Sequence, residues 1–268
     1  MVLLRLATAL LALSISSAAL AQPHDCIVVP RQVADLAFGT SGVVERLLVD
    51  RGDPVRKGDA LGNLDSAVEA TNLAIAKARV AEVAALETAR AQLVAAQSKL
   101  QRSRALESKQ IMATSKLEEA EAEHESARLK IVEQEELLRL KALDVQRVEA
   151  ALALRRIVSP FDGVVVDRHV APGEYVENRR ALTIAQIDPV YADVIAPSSM
   201  FAEVKKGQKV KVILEQPADL SVISETAVID PYVDGASGTF RVRLAIANPD
   251  YAIVPGFRCR AEFSVPSR

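Results

Sequence analysis

The sequence is poor in the residues on which catalysis and metal binding most often depend. It contains no tryptophan, three histidines and two cysteines, and only 4% of its residues are aromatic. His24, His124 and His169 lie far apart, without metal-ligand spacing or a paired nucleophile, so we expect no catalytic site, no metal site and no bound cofactor. Met112 and Met200 are the only methionines after the first residue, which argues against a methionine-based copper or silver relay.

The net charge of the chain is also small. A net charge of -2 and a pI near 6.0 give no electrostatic reason to expect nucleic acid as a partner. Half of the residues are hydrophobic although few are aromatic. This composition favours helices rich in alanine and leucine together with small β-modules, rather than one large globular core.

The first residues form a short apolar run that resembles an export signal. Arg5 precedes a run of alanines and leucines, and Ala19-Leu20-Ala21 precedes Gln22. The run is too short to span a membrane comfortably, so we predict a cleaved signal peptide over residues 1–21 and a periplasmic mature chain. The alternative is an uncleaved N-terminal anchor. A lipid anchor is not expected, because no cysteine directly follows the cleavage site.

Glycine and proline are absent between Asn63 and Ser159, although the chain has 11 glycines and 12 prolines. So long an absence predicts uninterrupted helix. Apolar residues recur every seven positions within it, which indicates a coiled coil. They are Leu86, Leu93 and Leu100, and then Ile131, Leu138, Val145 and Leu152.

The heptad pattern lapses at residues 108–115, so we expect two antiparallel arms joined there. Asp65-Ser66 should begin the first arm, and Ser115, three residues before Glu118, should cap the second. Ser159-Pro160 should end the second arm. His124 lies among glutamates and is expected on a solvated face.

A ten-residue spacing occurs on both sides of this helical segment. Gly42-Val43-Val44 is followed by Gly52, and Gly163-Val164-Val165 is followed by Gly173. We interpret each copy as a short β-hairpin in which the glycines supply positive φ. Two matching halves bury their apolar faces only if they meet, which requires the helical segment to go out and come back.

The remaining segments indicate a second β-module and an N-terminal arm. From residue 189 onward apolar and polar residues alternate, with Phe240, Val242, Leu244 and Ile246 on one face, and a small antiparallel β-barrel would hide the strand edges. The arm, residues 22–34, can add a strand to either module. Cys26 and Cys259 either form a disulfide in the oxidising periplasm or are buried as small apolar residues.

In this order, these segments resemble the periplasmic adaptor, or membrane fusion protein, family (haemolysin-D-like), and most closely the adaptors of resistance–nodulation–division efflux pumps. The stretches that carry the resemblance are GVVERLLVDRGDPVRKGDALGNLD (42–65), SPFDGVVVDRHVAPGEYV (159–176), KKGQKVKV (205–212) and NPDYAIVPGFRCRAEF (248–263).

The resemblance implies an elongated, mixed α and β, multidomain protein. A split lipoyl-like β-module would occupy residues 35–65 and 157–188. A long antiparallel α-helical coiled-coil hairpin would occupy residues 66–156, with its tip near 107–115, and a β-barrel domain residues 189–268. The membrane-proximal domain of larger family members is expected to be missing. Carrier domains bear a cofactor on a lysine in the turn between the two halves; the hairpin occupies that connection here, so no cofactor is expected.

Family membership further implies an inner-membrane transporter and an outer-membrane channel as partners, and a ring of copies that is often hexameric. At the tip, the family's docking pattern of arginine, leucine and serine is matched by Arg102 and Leu106. It departs at Ala113, with Ser115 two residues further on. Ile111 and Met112 are apolar residues at the end of a solvated hairpin, which favours contact with another protein.

Three interpretations therefore compete. The first is an adaptor for a proton-driven transporter, and the second an adaptor for an ATP-driven exporter. The third is a structural periplasmic coiled-coil protein without a transport partner.

Overall fold

The structure is a computed structural model that describes residues 23–111, 113–217 and 220–263. The predicted signal peptide and Met112 lie outside these residues. The first half contains β1 (Pro23–Ala37), β2 (Gly42–Leu47), β3 (Pro54–Val55), β4 (Ala60–Leu64), α1 (Ala67–Ala81), α2 (Ala84–Glu107) and α3 (Thr114–Ala153). The second half contains β5 (Arg156–Val158), β6 (Gly163–Arg168), β7 (Tyr175–Val176), β8 (Arg180–Pro197), β9 (Lys209–Leu214), β10 (Ser221–Ile229), β11 (Thr239–Ile246) and β12 (Arg258–Phe263).

The chain divides into two compact units. The barrel unit comprises the described residues within 23–34, 162–164 and 184–263, and the hairpin unit comprises those within 35–161 and 165–183. Each unit is therefore built from segments that are distant in the sequence.

The barrel unit contains a closed β-barrel. Its strands neighbour each other in the order β1-β12-β9-β10-β11-β8, and a further pairing of β1 with β8 closes the sheet. Phe240, Val242, Leu244 and Ile246 are all buried, so the alternation that predicted one inward face of this strand is confirmed. The N-terminal arm joins the barrel rather than the other module, as β1, and continues to Ala37.

The two cysteines lie directly opposite each other in the β1–β12 pair. Both are buried and their Cα atoms are 4.8 Å apart, a separation that suits a disulfide. The sequence left open whether the two cysteines form a disulfide or are simply buried. The structure is compatible with both, because the two cysteines are buried and also lie close enough to form a disulfide. We propose that this bond forms in the oxidising periplasm and holds β1 to the last strand of the barrel.

We predict that non-reducing peptide mapping of the exported protein yields one linked peptide containing Cys26 and Cys259. Reduction should lower the free energy of unfolding by up to about 5 kcal/mol, because the bond closes a loop of nearly the whole chain. Alkylation of both thiols without prior reduction would contradict the bond.

In the hairpin unit the two glycine-containing copies pair with each other. The amide of Gly52 donates to the carbonyl of Val165 at 2.9 Å, and the amide of Gly173 donates to the carbonyl of Val44 at 2.8 Å. The amide of Val165 donates to the backbone carbonyl of Asp53 at 3.0 Å, and the amide of Val44 donates to the backbone carbonyl of Glu174 at 2.8 Å. The interpretation of each copy as a short β-hairpin is wrong, because the two strands of a copy do not pair with each other: β2 pairs with β4 and β7, and β3 pairs with β6. Each copy therefore completes part of its backbone hydrogen bonding through the other copy, while β2 also pairs with β4 in its own half.

The four predicted turn glycines have two different roles. Gly52 and Gly173 adopt positive φ, 93° and 86°, as expected. Gly42 and Gly163 do not, and instead begin β2 and β6. Gly163 is required because it has no side chain: an added Cβ would lie only 2.2 Å from the carbonyl oxygen of Ala185.

We predict that Gly163→Ala lowers the free energy of unfolding by roughly 1–3 kcal/mol, because the methyl group forces β6 away from β8. Thermal and denaturant unfolding measure the change. The matched control is Gly235→Ala, where nothing lies within 4 Å of the new Cβ and φ is not positive. Equal stability of the two variants would contradict the steric explanation.

The helical hairpin packs α1 and α2 against α3. On α2 the buried or half-buried positions follow a three–four spacing at Leu86, Ala89, Leu93, Ala96, Leu100 and Ser103. On α3 the same spacing continues through Leu117, Ala120, His124, Ala127, Ile131 and onward to Leu152. His124 is therefore half-buried at an inward position, and its predicted place on a solvated face is wrong.

The first arm is not the single helix that the sequence predicts, because it breaks at Glu82 and Val83. Before the break the inward positions include Ala76 and Val80, and after it they resume at Leu86. The spacing from Val80 to Leu86 is one residue short of a heptad. A helix that continued through it would be overwound, so the chain interrupts the helix instead.

The ends of the arms also differ in part from the prediction. The Asp65 carboxylate accepts a hydrogen bond from the Ala67 amide at 3.1 Å at the start of α1. At the other end α3 stops at Ala153, before Ser159-Pro160, because the chain leaves the helix to pair β5 with β4. Arg155 joins both arms there: its guanidinium donates to the Asp65 carbonyl at 2.7 Å and pairs with Glu69 at 2.5 Å.

Candidate docking tip of the helical hairpin

The turn between the arms is built as a Schellman motif, a helix ending closed by two backbone hydrogen bonds. The amide of Ile111 donates to the carbonyl of Leu106 at 3.1 Å. The amide of Gln110 donates to the carbonyl of Glu107 at 2.8 Å. These bonds are the six-to-one and five-to-two bonds of the motif, which places Leu106 and Ile111 at the two positions that commonly carry an apolar pair.

Gln110 occupies the left-handed position of this motif, with a φ of 58°. Glycine is the usual residue there because a Cβ is disfavoured at positive φ. No sequence signal predicts this conformation, since neither glycine nor asparagine marks the turn. Gln110 is therefore a structural residue of the tip that sequence reasoning missed.

The tip exposes apolar side chains to solvent. Ile111 is 70% exposed and Leu106 is 39% exposed, and Arg102, Ala113 and Ser115 are also exposed. The structure thus brings these predicted docking residues to one end of the hairpin. Met112, the remaining predicted residue, lies outside the described part of the chain.

Ser115 does not cap the second arm. The helix α3 begins at Thr114, and Ala113 occupies the N-cap position without a side-chain hydrogen bond. The predicted capping box fails because the chain enters the helix before Ser115, which leaves that serine inside the first turn.

Ion pairs join the arms below the tip. Arg104 pairs with Glu121 at 3.0 Å, and Lys99 pairs with Glu123, which raises the pKa of Lys99 through that hydrogen bond. Arg102 has no ion-pair partner among the described residues. Its guanidinium is therefore available to an external carboxylate or carbonyl.

We predict that Gln110→Gly stabilises the hairpin by about 1 kcal/mol, because glycine removes the steric cost of positive φ. Amide hydrogen exchange at Ile111 and denaturant unfolding measure the effect. The matched control is Ser108→Gly, at a helical backbone position with φ −60° and ψ −22°, which should lose up to about 0.5 kcal/mol. A loss of stability in both variants would refute the left-handed assignment.

The described residues contain neither a metal-ligand cluster nor a membrane-spanning helix. Within them no group of three or more His, Cys, Asp or Glu side chains is placed to hold a metal ion. No helix in the described ranges is both long and apolar enough to cross a membrane.

Two family models match the chain. Residues 32–186 match a CzcB-like barrel-sandwich hybrid domain, and residues 189–267 match a CusB-like β-barrel domain. The multidrug efflux pump subunit AcrA of Escherichia coli K12 is 24% identical over 245 residues, which cover 86% of this chain and 58% of that protein. The cobalt-zinc-cadmium resistance protein CzcB of Cupriavidus metallidurans is 24% identical over 222 residues, which cover 81% of this chain and 39% of that protein.

Among solved structures, MacA from Actinobacillus actinomycetemcomitans shares the fold. Its TM-score is 0.70 at 22% identity, and the match covers 91% of this chain and 78% of that one. The chain spans about half the length of the curated relatives, 39% to 63% for CzcB, AcrA and the multidrug resistance protein MdtE of E. coli K12.

The fold and the matched models define a non-enzymatic adaptor built from a barrel-sandwich hybrid with a helical hairpin and a β-barrel. The chain belongs to the membrane fusion protein, or periplasmic adaptor, family of efflux systems.

Proposed function

We propose that this protein is the periplasmic adaptor subunit of a tripartite efflux system. In this role it links a proton-driven inner-membrane transporter to an outer-membrane channel. The observation that carries the proposal is the exposed apolar tip, Leu106 and Ile111, at the end of a hairpin in a chain of this family. Apolar side chains grouped at the end of a solvated hairpin favour contact with another protein.

The tip has the composition of a docking surface. An apolar pair lies beside Arg102, which forms no ion pair within the described ranges, and this combination is found at the centre of protein interfaces. The turn that presents the pair is fixed by two backbone hydrogen bonds, so little conformational entropy is lost on docking.

Self-association into a ring is supported by the charges of the two arms. Residues 67–107 carry six basic and four acidic side chains, whereas residues 114–153 carry six basic and ten acidic side chains. A ring places the first arm of one copy beside the second arm of the next, because its contacts are head-to-tail. The opposite net charges favour that arrangement over contacts between like arms.

The proposal is tested by in-cell crosslinking of the tagged protein, followed by mass spectrometry of the proteins captured with it. A proton-driven transporter captured together with an outer-membrane channel would support it. An ATP-driven exporter would keep the adaptor role and change the energy source. Capture of neither, with crosslinking shown to work on a known envelope complex, would leave a structural coiled-coil protein.

We predict that Leu106→Asp and Ile111→Asp abolish export and channel crosslinking, because each places a charge in a contact that must be desolvated. Circular dichroism should show unchanged helicity. The matched control is Val94→Asp, which alters a 64% exposed valine on α2 away from the tip and should leave crosslinking to the channel intact. Undiminished export by the two tip variants would remove the docking assignment.

A further inference from the structure

One end of the barrel carries exposed lysines and exposed apolar side chains that have no part in the proposed adaptor role. The strand registers define this end, since Phe263 pairs with Val210, Glu225 with Lys209 and Thr239 with Pro197. The loop before β9, the loop between β10 and β11 and the turn after β8 therefore lie together. The first described residue, Pro23, pairs with Glu262 and lies at this end as well. We call it the lysine end.

Two lysines project from the loop before β9. Lys205 and Lys206 are exposed, and none of the described residues forms an ion pair with either of them. The loop is anchored by backbone bonds, because the Gly207 amide donates to the Thr226 carbonyl at 2.8 Å and the Thr226 amide donates to the Gln208 carbonyl at 2.9 Å. The two ammonium groups are thus carried on a fixed loop and are available to an external anion.

Exposed aromatic and aliphatic side chains accompany the lysines. Tyr232, in the loop between β10 and β11, is 74% exposed, Val228 is 45% exposed, and Phe201 is 41% exposed. Phe201 stays in place through edge contact with the buried Phe240, at 5.1 Å between ring centroids. These are large exposed apolar groups in a chain with few aromatic residues.

Some of the carboxylates at this end are held by neighbouring groups. Asp234 accepts a backbone amide hydrogen bond at 2.8 Å within its own turn, and this bond lowers the pKa of its carboxyl group. Glu225 lies opposite a lysine of β9. The pKa of Arg243 is raised chiefly by its hydrogen bond to Asp193 and further by the charge of Asp230. Glu203 is the nearest remaining acid in sequence to the two lysines.

We propose that the lysine end binds the polar surface of an anionic lipid bilayer. Lysines beside tyrosine and phenylalanine are the combination that binds an interface of phosphate headgroups and acyl chains. The position of the N-terminal arm supports lipid as the occupant, because the apolar leader predicted over residues 1–21 ends two residues before Pro23. Export through such a leader would bring this end of the barrel to the membrane, where the lysine end would hold the processed chain.

The chain contains no tryptophan, so a single introduced tryptophan reports on its own position alone. The test uses the exported, processed protein carrying Tyr232→Trp, mixed with vesicles of phosphatidylethanolamine and phosphatidylglycerol. We expect its emission to shift to the blue, and the shift to weaken with added salt or with phosphatidylcholine vesicles. The matched control is Tyr175→Trp, at a 60% exposed tyrosine of the hairpin unit, where no shift is expected.

A pair of double variants tests the lysines. Lys205→Gln with Lys206→Gln should reduce vesicle binding roughly thirtyfold, because each lysine near an anionic surface contributes about a fivefold gain. The same change at Lys109 and Lys116, at the hairpin tip, should leave binding unchanged.

Absence of a blue shift in the Tyr232→Trp variant, an equal shift in the Tyr175→Trp variant, or equal losses in the two double variants would overturn the proposal. Crosslinking of position 232 to a transporter, without any vesicle binding, would also overturn it and assign the surface to a protein partner. Vesicle binding requires neither transporter nor channel, so its failure and failure of the proposed adaptor role are distinguishable.

Discussion

The reciprocal backbone hydrogen bonds between the two glycine-containing copies are the constraint on which the rest of the hairpin unit depends. Part of the backbone hydrogen bonding of each copy is made only with the other copy, which lies more than a hundred residues away. The intervening chain must therefore return to its starting point. Two antiparallel arms of matched length meet this requirement, and Arg155 joins their bases at the point of return.

The arms hold together through a narrow line of contacts. Many inward positions are alanine or serine, which allows close approach of the helices but buries little apolar area, and the ion pairs between the arms are exposed to solvent. Stability is thus distributed along the hairpin rather than concentrated at one place. An apolar tip is compatible with this construction because the turn is fixed by its own backbone bonds and not by burial of Leu106 or Ile111.

The lysine end and the hairpin tip are surfaces of different chemistry on the two separate units. One presents lysines beside tyrosine and phenylalanine, and the other presents two aliphatic side chains beside an arginine. The proposed adaptor role needs contact with the channel at the tip, whereas the proposed lipid contact needs only headgroup chemistry at the barrel.

Local patterns in the sequence were sufficient to predict the helical segment, its inward face and the buried face of one barrel strand. The missing glycines and prolines marked the helical segment, the heptads marked its inward face, and strand alternation marked the buried residues around Phe240. Tertiary structure alone decided the rest, because those features depend on partners distant in the sequence. The repeated spacing predicted that the two copies meet, but the close approach of Ala185 to Gly163, the return of β5 to β4 and the pairing of β2 with β7 leave no local periodic signal. The left-handed Gln110 carries no glycine or asparagine signal, whereas the break at Glu82 coincides with an apolar spacing that is one residue short of a heptad.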